Sequence, residues 1–153
     1  MSKRRLPQAP KPQGRSCGQC NECCTALGVP EIQKSTFQMC SHVMNHKCDC
    51  YATRPTACQE YKCLWLLGAI DSVHRPDRVG VVFDRTESLR KLEEKTGLTA
   101  IAARITRDTM EGTQIIKSLS SRFLVVLIDS SDRRRILGPA HAAGAIESLV
   151  PSV

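Results

Sequence analysis

Met110 to Leu137, MEGTQIIKSLSSRFLVVLIDSSDRRRIL, is the stretch that decides the fold. Met110 to Ser121 reads as a helix, and Phe123 to Ile128 is an unbroken apolar, β-branched run of the kind that forms a buried strand. Ser130-Ser131-Asp132 supplies a turn, and Arg133 to Leu137 follows as the second strand of a hairpin. Arg133, Arg134 and Arg135 read as a solvated edge that blocks strand aggregation rather than as a phosphate clamp. Upstream, Val79 to Phe83 is a short β-branched run and reads as a strand. Thr99 to Ile105 is ambiguous, its alanines favouring helix while its length and the flanking Gly97 favour strand. Ala140 to Leu149 reads as a closing helix. Helices with a small antiparallel or mixed sheet make the class α+β.

The other half of the chain has a different chemistry. All nine cysteines fall between Cys17 and Cys63, so thiols are used regionally and not as a general packing residue. With 153 residues the chain can bury a core without covalent staples, so its size does not account for them. Three stretches result: a basic tail over 1–15, a cysteine-cluster region over 16–68, and the α+β remainder of the same compact domain over 69–153. Within the second stretch, 28–39 reads as loop with a turn of helix after Pro30. Pro55 fits the first turn of a helix running to 67 and stopped by Gly68.

Lys3-Arg4-Arg5 is followed by Leu-Pro-Gln-Ala-Pro-Lys-Pro, which is no signal peptide, and no segment approaches the roughly 18 apolar residues of a membrane span. The expected location is cytoplasmic, where thiols stay reduced and clustered cysteines point to metal before disulfides. The net charge of +7 is concentrated: residues 1–15 hold Lys3, Arg4, Arg5, Lys11 and Arg15 and no acid. The body is close to neutral. With Pro7, Pro10, Pro12 and Gly14 the tail reads as disordered, and, lacking interleaved aromatics, as a solubility element before a nucleic-acid arm.

The constellation is Cys17-x2-Cys20-x2-Cys23-Cys24, then Cys40, Cys48, Cys50, Cys58 and Cys63. Two cysteines separated by two residues can turn both sulfurs toward one ion about 2.3 Å away. The same run resembles iron-sulfur ligand loops, so spacing leaves Zn2+ and iron, including an iron-sulfur cluster, both open. Adjacent Cys23 and Cys24 suit two centres, or opposite sides of one larger cluster. Eight thiolates on two zinc ions would leave a charge near minus four, and Lys47, Arg54 and Lys62 are the cations beside them in sequence. Cys58 falls in the first turn of the helix expected after Pro55, where the helix dipole favours a thiolate. His42-x3-His46 has the interval of a zinc-finger histidine pair, but it lies too far from Cys20-x2-Cys23 for that finger. Either histidine could replace one cysteine; otherwise both read as exposed.

The run CGQCNECC, followed by Cys40-Ser-His and then Cys48-x2-Tyr51-x2-Arg54-Pro55-x2-Cys58-x4-Cys63-x-Trp65, closely resembles the CxxCxxCC cysteine-cluster family over about residues 17–67. Arg75-Pro76-Asp77-Arg78-Val79 looks like its continuation. Members are described as zinc- or iron-chelating. The resemblance implies metal ligands at Cys17, Cys20, Cys23, Cys24, Cys40, Cys48, Cys58 and Cys63, with Tyr51, Arg54 and Trp65 in support around the bound group. Cys50 is extra to the pattern and reads as a small buried hydrophobe.

The expected function is therefore metal chelation. The resemblance extends to flagellin lysine N-methylases, so a cluster-dependent enzyme is the alternative, although the chain has no glycine-rich nucleotide loop. A zinc module binding nucleic acid through the basic tail is the third reading, and it predicts steep salt dependence.

Overall fold

The computed structural model describes residues 15–131 and 133–149. Of the expected basic tail only Arg15 lies among them, and Asp132 of the expected turn lies outside.

The elements are α1 (Glu22–Ala26), β1 (Val43–Met44), β2 (Lys47–Cys48), α2 (Thr56–Glu60), α3 (Pro76–Val79), β3 (Val81–Asp84), α4 (Arg90–Thr96), β4 (Ala100–Ile105), α5 (Met110–Ser120), β5 (Leu124–Ile128), β6 (Arg134–Leu137) and α6 (Ala143–Glu147). Short 3-10 turns intervene, among them Pro30–Ile32 and Tyr51–Thr53. The class is α+β, as the sequence indicated. β3 to β6 form one sheet in that order, with β4 and β5 parallel and the outer pairs antiparallel. The ambiguous run at 99–105 is a strand because it lies between two others, Val81 opposite Ile105 and Ala100 opposite Leu124. Every residue of β5 is buried, which is why its sequence is apolar without alternation.

Ile101, Ala103, Val125 and Leu127 pack in one cluster with Ile116 of α5 and with Ala26, Cys63, Leu64 and Trp65 of the cysteine region. Ala100, Ala102, Leu124 and Val126 pack in another with Leu89, Leu92, Ala142 and Ile146, beside α4 and α6. The cysteine region is thus a lobe laid on one sheet face.

Three boundaries depart from expectation. The helix expected over 55–67 stops at Glu60, because the following chain pairs with the sheet instead: Leu64 N donates to Phe83 O across 2.8 Å, and Tyr61 Oη to Asp84 Oδ2 across 2.7 Å. The strand expected from Val79 starts at Val81, since Val79 ends α3 and Gly80 caps it at φ +71. A Cβ at Gly80 would also lie 2.7 Å from Arg107 O. The closing segment is a 3-10 turn, Ala140–Ala142, running into the shorter α6.

Candidate metal centre

The cysteine lobe is built from elements of two to five residues, too short to be stable alone, and each is tied to something else. Glu22 in α1 accepts from Thr106 Oγ1 across 2.6 Å, pinning the helix that carries Cys23 and Cys24 to the end of β4. The Glu31 carboxylate accepts from the backbone N–H of Thr56 and Ala57, holding the start of α2 and with it Cys58. Cys40 N donates to Cys24 O across 3.2 Å, and Asp49 N to His42 O across 2.8 Å, closing the β1–β2 hairpin. Its tip, Asn45 and His46, has φ of 50° and 60°, the pairing of a type I′ turn that matches strand twist.

All nine cysteines are free thiols; Cys63 is buried and the others half-buried. They fall into two neighbourhoods. In the inner one, beside the sheet, Cys63 Sγ accepts a backbone N–H bond from Leu66 at 3.5 Å. Cys17 and Cys63 lie close enough to Cys23 for their charges to raise its thiol, after the hydrogen bond with Cys24 and burial. Burial pushes Cys20 up to about 11. In the outer neighbourhood Cys58 is raised by burial and then by the charges of Cys24, Cys40 and Cys48. That corrects the expectation of a helix dipole favouring its thiolate, since α2 is only five residues long. The two neighbourhoods meet at Cys23 and Cys24, whose side chains hydrogen bond. Cys24 is the more acidic of the two, lowered to about 7 by that bond and by the Lys34 ammonium.

Lys34 is the cation that the sequence did not single out. It is 9 % exposed, and its Nζ donates to Thr25 O at 3.2 Å, Ser35 O at 3.1 Å and Leu27 O. Burial lowers its pKa, against the charges of Cys40, Cys24, Cys23 and Cys58, which hold it up. Lys47 and Lys62 are exposed. Only its place between cysteines could have marked Lys34, because it lies in a loop with no periodicity. Arg75, ion-paired to Asp77 at 2.6 Å, stands near Cys17 and Cys20.

Arg54 donates to Tyr51 O at 2.9 Å and stacks on the Tyr51 ring, which is 61 % exposed. Trp65 is buried, its Nε1 donating to Ser72 O, and Arg15 lies over its ring while donating to Trp65 O and Ile70 O, each at 2.6 Å. Cys50 is not a buried hydrophobe. It is half-exposed, with its sulfur 3.7 Å from Cys48 Sγ, and partial burial and the Cys48 thiol push it up to about 11. His42 Nδ1 lies 2.8 Å from Asp49 Oδ1, and ligand atoms of His42, Asp49 and Cys50 lie within 4.8 Å of one another. His46 is exposed at the hairpin tip.

The lobe is compatible with a thiophilic cation: its thiols are reduced, one accepts a backbone N–H bond, and the Lys34 ammonium answers part of their charge, while among the described residues the group of three whose ligand atoms all lie within 4.8 Å of one another is His42, Asp49 and Cys50. No helix among the described residues is long and apolar enough to cross a membrane. No family model matches the chain, no curated protein matches it, and no solved structure does.

Proposed function

We propose that the protein binds zinc or iron through two adjacent four-thiolate groups, an inner one of Cys17, Cys20, Cys23 and Cys63 and an outer one of Cys24, Cys40, Cys48 and Cys58. The observation that carries this reading is that thiols far apart in sequence feel one another's charge, Cys17 and Cys63 beside Cys23, and Cys24, Cys40 and Cys48 beside Cys58, while Leu66 N donates to Cys63 Sγ at 3.5 Å. N–H groups aimed at sulfur stabilise the thiolate that a metal requires. The eight residues are also those that the resemblance to the CxxCxxCC family implies, and Tyr51, Arg54 and Trp65 support the fold around them. Adjacent Cys23 and Cys24 serve one group each, so the centres share a border.

The test is metal and sulfide content with an absorption spectrum on anaerobically purified protein, beside a Cys20→Ser variant. At least two zinc ions and no colour indicate a structural or metal-carrying module. Iron with matching sulfide indicates an iron-sulfur protein and favours redox or methyl-transfer chemistry. Protein that takes up neither metal overturns the reading.

A further inference from the structure

Cys50 lies outside the eight ligands, yet its sulfur stands 3.7 Å from Cys48 Sγ. Two sulfurs on one tetrahedral zinc, each about 2.3 Å from the ion, are separated by about 3.8 Å, the edge of that tetrahedron. The hairpin therefore already holds two thiols at the spacing one ion imposes. His42 supplies a third donor beside Cys50. Asp49 belongs behind it, because 2.8 Å between His42 Nδ1 and Asp49 Oδ1 is a hydrogen bond, whereas N and O ligands on one tetrahedral zinc stand about 3.3 Å apart. A carboxylate on Nδ1 fixes the ring and leaves Nε2 for a metal, the usual arrangement of metal-bound histidines.

The hairpin carries its own backbone ties. The β1–β2 ladder, the Asp49 N to His42 O bond and the I′ turn fix where His42, Cys48 and Cys50 emerge. His42 and Asp49 keep 39 % and 46 % of their side chains exposed, so solvent reaches the place where a fourth ligand would sit.

We infer that Cys48, Cys50 and His42 form a further site for a zinc-class divalent ion, with Asp49 as positioning residue and the fourth coordination position open to water. The inference rests on the metal-binding reading above. Cys48 bridges this ion to the outer centre, a thiolate having lone pairs for two cations. Three protein ligands and an open position distinguish an exchangeable or reactive ion from the closed four-ligand structural kind.

The test uses the full chain, loaded with zinc under reducing, anaerobic conditions, with bound ions counted by native mass spectrometry. Wild type should carry one zinc ion more than either Cys50→Ser or His42→Ala, and that ion should be the first lost to a chelator. Asp49→Asn should keep the count but weaken the labile ion by about 10- to 100-fold. Equal counts in wild type and Cys50→Ser overturn the inference, as does loss of more than one ion in Cys50→Ser, which would make Cys50 part of the outer centre. Wild type that binds no zinc or iron at all fails the prior reading instead, so the two failures are distinguishable.

Discussion

Tyr61 and Arg104 donate to the same oxygen of Asp84, each across 2.7 Å, and so join the cysteine lobe to the sheet through one carboxylate that is 1 % exposed. Arg104 is nearly buried beside it. Asp84→Ala should therefore cost about 3–5 kcal/mol, because it strands a charge, whereas Tyr61→Phe should cost about 1.5–3 kcal/mol for one bond to a charged acceptor. Denaturant unfolding of both variants measures the difference.

Gly112 lies within α5, where alanine ordinarily gains about 1 kcal/mol over glycine. Here a Cβ would stand 2.7 Å from Val79 O and 2.8 Å from Val81 Cγ2. The sign should reverse, with Gly112→Ala destabilising by about 1–3 kcal/mol in thermal or urea unfolding.

The metal-free thiols should separate by acidity. Cys24, held near 7 by its bond with Cys23 and by Lys34, should be alkylated first at pH 7–8, ahead of Cys20, held near 11 by burial. Mass mapping of a short iodoacetamide pulse identifies the modified site, and Lys34→Met should slow modification of Cys24. Lys34→Met should also cost about 1–3 kcal/mol, since the carbonyls it serves lose their donor.

The same shifts set opposite pH slopes on the metal-free fold. Cys20 is protonated in the folded state up to about 11 but ionises near 9.0 when unfolded, so its contribution is present below 9.0 and lost as pH rises toward 11. Cys24 is ionised in the folded state down to about 7, so its contribution is present above 9.0 and lost as pH falls through 7. Unfolding curves of the chelated, reduced protein at pH 6, 9 and 11 should show both losses in wild type, the alkaline one smaller in Cys20→Ser.

Chelation should loosen the lobe and spare the sheet. α1, α2 and the hairpin are short and metal-dependent in the proposed arrangement, whereas β4 and β5 are fully or largely buried. Hydrogen exchange after chelator treatment should rise across 17–60 and stay slow in 101–103 and 125–127.

The sheet half was legible because its strands carry their own signal. β5 is apolar from end to end, and the arginines of β6 fall on an exposed edge. The cysteine lobe was legible as a region of unpaired thiols and opaque in its shape. Nothing local says that the chain leaves the helix at Glu60, since the reason lies in Phe83 and Asp84, more than twenty residues on. Cys50 was misplaced because its half-exposed position beside Cys48 follows from the hairpin's I′ turn at Asn45-His46, residue types that tolerate positive φ, and a two-residue ladder that carries no strand pattern of its own. Lys34 carried no pattern at all, because a buried lysine is recognised only by the carbonyls and thiols around it.

The anchors of the lobe have a consequence for biosynthesis. Cys23, Cys58 and Cys63 are made before Phe83 and Thr106, to which their segments are tied. At about 5–20 residues per second Cys63 precedes Thr106 by roughly 2–9 s and Cys23 by roughly 4–17 s. During that interval the thiols lack the sheet contacts that later bury and order them, so they are at their most open to oxidants before β4 is made.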